Sequence, residues 1–145
     1  MTNPEERIYI IVPETVQTMP NIPGFVPDPL HAVSINMEPG RLMAQCCHVG
    51  RGLQDGLQEM YDEKYRDITT IVLSVRNSKE LNKITEELRK WAAGIAGIDS
   101  LVVEFFDENP PFYQTTETVH TATIVGPVDN SEVLDHIIGH LELYK

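Results

Sequence analysis

The sequence predicts an α/β fold, a mixed four-stranded sheet covered by helices, and three observations carry that expectation. Short apolar, strand-like runs alternate with stretches of helical period. The 145 residues suffice for one domain that buries about two-thirds of its unfolded surface without disulfide or metal staples. A hydrophobic share of 41% with 23% charged residues is that of an ordinary globular chain. No internal repeat interrupts the pattern, so residues 1–145 read as a single domain.

Ile8 to Val12 is a β-branched run stopped by Pro13, and it reads as a buried strand. Five of the ten prolines then fall between residues 13 and 36, which reads as a long loop inserted into the domain. It is a lid over a site, part of a dimer interface, or an ordered decoration. From Glu38 to Met60 the period is helical, with Leu42, Cys46, Val49, Leu53, Leu57 and Met60 on one stripe and Pro39 suited to the first turn. Ile68 to Val75 is the second strand. Asn77 and Glu80 form a capping pair for a helix carrying Leu81, Ile84, Leu88, Trp91 and Ile95. Leu101 to Phe106 and Thr121 to Val125 are the third and fourth strands. The third ends at Asp107-Glu108-Asn109-Pro110-Pro111 and the fourth at Gly126-Pro127. Asp129 and Glu132 cap a final helix running to Leu141.

Charge bounds the partners. Eleven basic against 22 acidic residues give −11. Residues 1–90 hold 10 basic and 13 acidic residues, whereas residues 91–145 hold 1 and 9. A broad nucleic-acid footprint over the last third is therefore not expected, because phosphate binding draws on clustered Lys and Arg. Adjacent Cys46 and Cys47 make no disulfide framework and read as small buried hydrophobes. That usage, with no membrane-length apolar run and no leader-like N-terminus, predicts a reducing, cytoplasmic setting.

On the first helix a second stripe, Arg41, Gln45, His48 and Gly52, lies about 100° around from the apolar one. Such a border position aims polar groups into a cleft or is simply a solvated edge. Asp107 and Glu108 at a strand end are either a catalytic carboxylate pair or a turn. His136 and His140 stand four apart, with Glu132 one turn earlier, like zinc ligands; the absence of a third nearby His or Cys in the sequence favours a structural role, and no metal or other cofactor is expected.

Gly40-Arg41-Leu42-Met43-Ala44-Gln45-Cys46-Cys47-His48-Val49 resembles the pattern Gly-Lys-x-Ala-Ala-Gln-x-x-His-Ala of the archaeal and eukaryotic type of peptidyl-tRNA hydrolase. There too a Met, here Met37, stands four residues before the basic position. The unit from Thr70 to Ile98 has the order and length of the family's middle. Asp107 sits where the family has Asp-Ala-Gly, His120 to Pro127 resembles its last strand, and Gly139-His140-Leu141-Glu142-Leu143-Tyr144 its ending. The similarity covers residues 7–12 and 37–145.

The resemblance implies a homodimeric α/β esterase, metal-free, that cleaves the bond between a peptide and the 3′ end of tRNA. Its functional positions fall on Arg41, His48, Asp107 and Thr121, with Gln45 and Gly40 as substrate-binding neighbours. Ester hydrolysis needs an oriented water and a cation or donor at the developing oxyanion. Asp107 or His48 suits the first task, Arg41 in the first helical turn the second. The chain departs from the family at Arg41, in place of Lys, and at Glu108-Asn109, in place of Ala-Gly. Two readings follow: a peptidyl-tRNA hydrolase, or a binding module or hydrolase for a smaller anionic ester or amide. A basic groove of Arg51, Arg76, Lys79 and Lys83 leading to Arg41 distinguishes the first from the second.

Overall fold

A computed structural model describes residues 6–18, 33–36, 39–61, 68–94, 101–107, 119–128 and 132–144. The elements are β1 (Arg7–Pro13), β2 (Thr15–Thr18), β3 (Val33–Asn36), α1 (Pro39–Tyr61), β4 (Thr69–Val75), α2 (Ser78–Gly94), β5 (Leu101–Asp107), β6 (Val119–Val128), α3 (Glu132–Ile138) and β7 (Glu142–Leu143). The main sheet has the order β5-β6-β1-β4-β7. β1 runs parallel to β4 and antiparallel to β6, and β6 runs antiparallel to β5. Hence β1, β4 and β5 point the same way.

The sheet has five strands, not the expected four. The addition is β7, two residues held on β4 where the Tyr144 N–H donates to the Val72 carbonyl at 3.0 Å. Two residues are too few to show alternation in a sequence. The segment from Pro13 to Asn36 is also more regular at its ends than expected: β2 and β3 pair as an antiparallel ribbon, Thr15↔Asn36 to Thr18↔Val33. The Glu14 and Thr15 N–H groups donate to the Val75 and Arg76 carbonyls, tying the ribbon to the end of β4. Pro20, Pro23, Pro27 and Pro29 lie outside the described residues, as do Met37, Ile95, Glu108 to Pro111 and Asp129.

Strand alternation builds two cores. Ile10, Val12, Ala122 and Ile124 meet Leu42, Val49, Leu53 and Leu57 of α1 on one face. Ile11, Leu73, Val75 and Val125 meet Leu81, Ile84, Leu88 and Trp91 of α2, with Ile138 of α3, on the other. Wholly buried side chains such as Leu81 and Leu88 each stabilise by about 1.5–3 kcal/mol relative to exposure. α2 begins at the expected cap, the Asn77 Oδ1 accepting the Glu80 N–H at 2.9 Å. The reciprocal half differs, because the Glu80 carboxylate accepts from the Arg76 backbone and Nε. β6 runs through Gly126-Pro127 to Val128 instead of stopping there, with a cis bond between those two residues. Gly126 has φ +152°, and a Cβ there would lie 3.0 Å from Ile8 Cγ1 and 3.1 Å from the Arg7 carbonyl oxygen, so only glycine fits the crossing with β1.

Candidate functional site

Topology brings the candidate residues to one end of the sheet. β1 leads out at its carboxyl end, and α1 returns along the face of β5 and β6. Two contacts fix the register of α1 on β5. A Cβ on Gly52 would lie 3.0 Å from Val103 Cγ1. His48 stacks on Phe105, ring centroids 4.6 Å apart and planes 9° from parallel. Four helical residues, about 6 Å, thus match two strand residues, about 6.6 Å. One more step in the same register sets the Asp107 backbone level with the turn of Ala44 and Gln45, and Gly40 and Arg41 lie one turn beyond. The side chains of Arg41 and Asp107 are outside the described set; this register puts their backbones at the same end, about one helical turn apart along α1.

The start of β6 joins them. Phe105 pairs with Ala122 and Phe106 with His120, so Thr121 is the extra residue of a bulge beside the end of β5. Its side chain is buried, and its hydroxyl donates a long, weak bond of 3.5 Å to the Phe105 carbonyl. The carboxyl ends of parallel strands are where open α/β sheets hold ligands. Here that end carries the first turn of α1, the end of β5, the β6 bulge and the entry to the β2–β3 ribbon.

The polar stripe is not a uniform border. Gln45 is 3% exposed and joins the buried face, whereas Cys46 is only half-buried. β5 lies against Gly52 and His48, on the Gln45 side of α1, so the buried face is turned toward Gln45 and away from Cys46. His48 is exposed at its outer side and held by Phe105, and Gly52 is the close approach that lets β5 lie there. Gly40 is exposed, with no atom within 4 Å of where its Cβ would be. Phe105 is the residue that sequence reasoning missed: nothing in spacing relates positions 48 and 105, which only the crossing of α1 and β5 brings together.

Cys47 is exposed, contrary to its expected burial, because it points away from both cores on α1. Burial, with Cys47 beside it, pushes the Cys46 thiol up from its ordinary pKa. His136 and His140 are exposed, and no three His, Cys, Asp or Glu side chains converge among the described residues.

The basic groove toward Arg41 that would mark the first reading is not assembled from its four cations. Arg51 pairs with Asp55 on α1 at 3.9 Å, and Arg76 with Glu80 at 3.2 Å. Lys79 and Lys83 line a cleft of 440 Å³ with Asn82, Glu86, Arg89 and Glu104. Arg89 Nε donates to Glu104 at 2.7 Å across it. That cleft lies on the α2 face, whereas Val103 and Phe105 of the same strand turn to α1. Among the described residues, no helix is long and apolar enough to cross a membrane.

Residues 32–144 match the family model described as Peptidyl-tRNA hydrolase PTH2. The matched stretch begins after β1 and β2 and takes in every later element. No curated protein matches the chain.

Proposed function

The chain belongs to the peptidyl-tRNA hydrolase PTH2 family, and on that premise we propose that it hydrolyses the ester between a peptide and the 3′ end of tRNA. The observation that supports this most is the convergence of the α1 amino terminus, the carboxyl end of β5 and the β6 bulge at one end of the sheet. In this reading the Asp107 carboxylate accepts a hydrogen bond from the attacking water and takes its proton as the C–O bond forms. Arg41 and the free N–H groups of the first turn, opened by Gly40, face the oxyanion. Thr121 holds the strand end through the Phe105 carbonyl, Gln45 contributes a fixed amide below, and His48 flanks the substrate. The β2–β3 ribbon, tied to the end of β4, stands at the same end, and two copies of the chain form the working unit in the cytoplasm. Arg41 suits an anion clamp, since it stays charged, and does not suit proton transfer.

The experiment is peptidyl-tRNA deacylation by wild type and by Asp107→Ala and Arg41→Ala. Each substitution is expected to lower kcat by about 10²–10⁴-fold, as loss of a general base or an oxyanion donor does. Wild-type turnover no faster than the uncatalysed rate removes the proposal. A second reading, a hydrolase or binder for a smaller anionic ester or amide, is favoured by the net charge of −11 and by the diversion of Lys79 and Lys83 to the opposite face. Preference for short acylated nucleotides over whole peptidyl-tRNA would select it.

A further inference from the structure

An acidic chain that handles an RNA end has little affinity to gain from phosphates. With a net charge of −11, with Arg51 and Arg76 paired to Asp55 and Glu80 and with Lys79, Lys83 and Arg89 lining the α2 cleft, counterion release supplies little. Recognition without charge means stacking and hydrogen bonding on a base.

The stacked pair on α1 and β5 has the form such recognition needs. Phe105 is half-buried and packs against the core beneath α1. His48 is exposed and lies nearly parallel to it at 4.6 Å. The phenyl ring therefore covers one face of the imidazole and leaves the other to solvent. An anchored lower ring holds the upper one in place before any ligand arrives, so little further ordering is needed on binding. The platform stands seven residues after Arg41, about 10 Å along the helix, and two residues before Asp107, about 7 Å along the strand. Those spacings put both residues within reach of the ribose of a base lying there.

We infer that the open face of His48, backed by Phe105, is a stacking platform for a nucleobase, the terminal purine at the 3′ end of the substrate. The platform itself rests on the ring geometry; the origin of the base rests on the hydrolase reading. Stacking uses the face of the imidazole and leaves its nitrogen edge free, so a neighbouring role for that edge is compatible.

The test is proton NMR of the full chain titrated with adenosine, which carries the base and no charge, with ribose as control. The His48 Cδ2 and Cε1 protons are expected to move upfield with adenosine and not with ribose. His48→Ala, with its fold checked by circular dichroism, is expected to weaken adenosine binding about 5- to 150-fold, the range for one base–aromatic stack. His48→Phe keeps a flat ring without nitrogens and is expected to bind within about threefold of wild type. No adenosine-dependent shift of His48 overturns the inference, as does a His48→Phe protein as weak as His48→Ala. Wild type that deacylates peptidyl-tRNA without an adenosine response keeps the hydrolase reading and loses the platform. Adenosine binding without turnover keeps the platform and loses the hydrolase reading.

Discussion

Two glycines in one helix, two residues apart, should respond in opposite directions to the same methyl group. At Gly50 no atom lies within 4 Å of the new Cβ, so Gly50→Ala gains only helix propensity and unfolded-state entropy, about 0.5–1 kcal/mol of stability. At Gly52 the same gain is opposed by a contact at 3.0 Å with Val103 Cγ1. Carbon atoms prefer about 3.5–4.0 Å, so helix and strand must separate by roughly 0.5–1 Å. Val103 cannot yield easily, because a β-branched side chain has few rotamers. Overpacking of this kind costs about 1–3 kcal/mol, which leaves Gly52→Ala less stable than Gly50→Ala by about 1–3 kcal/mol. With a urea m-value near 2 kcal/mol/M, the midpoints separate by about 0.5–1.5 M. Urea unfolding followed by circular dichroism measures this directly. Equal stabilisation by both changes would mean that β5 does not lie on α1 in the described register, and the placement of Asp107 and Phe105 would fall with it.

Gly126→Ala combines a positive φ with close contacts to Ile8 and the Arg7 carbonyl, and is expected to cost about 2–5 kcal/mol, lowering Tm by roughly 5–15 °C in calorimetry. The Thr85 and Thr123 hydroxyls share a 2.7 Å hydrogen bond, and the Thr85 hydroxyl also donates to the Leu81 carbonyl at 2.8 Å. Thr85→Val should cost about 1–3 kcal/mol, and the double variant with Thr123→Val should cost less than the sum of the two single ones; additive costs in a double-mutant cycle would dismiss the buried pair. Cys47 is exposed, whereas burial raises the Cys46 pKa and keeps it protonated to higher pH. At pH 8 iodoacetamide should modify Cys47 first, and the Cys46 rate should keep climbing above pH 9, as peptide mass spectrometry can follow.

What the sequence revealed depended on period and range. The α1 stripe, the Asn77 cap and the run Ile8 to Val12 are local patterns, and each lies where its spacing indicates. β2 and β3 alternate too, as Thr15-Val16-Gln17-Thr18 and Val33-Ser34-Ile35-Asn36, but four residues beside a cluster of prolines do not stand out from a loop. β7 is shorter still. The site divides in the same way. Arg41, Gln45 and His48 share a helix and were visible together, and the family-like fragments added Asp107 and Thr121. The burial of Gln45 and the pairing of His48 with Phe105 were not visible, since both depend on which side of α1 β5 lies against.

The middle position of β1 in the sheet bears on the order in which the molecule assembles. Its partner on one side is reached at Ile11↔Leu73 and on the other at Ile11↔Thr123, so the central strand waits for segments far along the chain. Each closure must overcome the entropy of a long loop before any ladder bond repays it, and folding dominated by such distant pairings is slow. On a ribosome β1 emerges first yet gains its second neighbour only after β6 is made. Until then it presents an apolar, β-branched edge, the feature most open to mispairing with another chain. Yield at synthesis should thus depend on chaperone supply and temperature more than the equilibrium stability of the finished fold suggests.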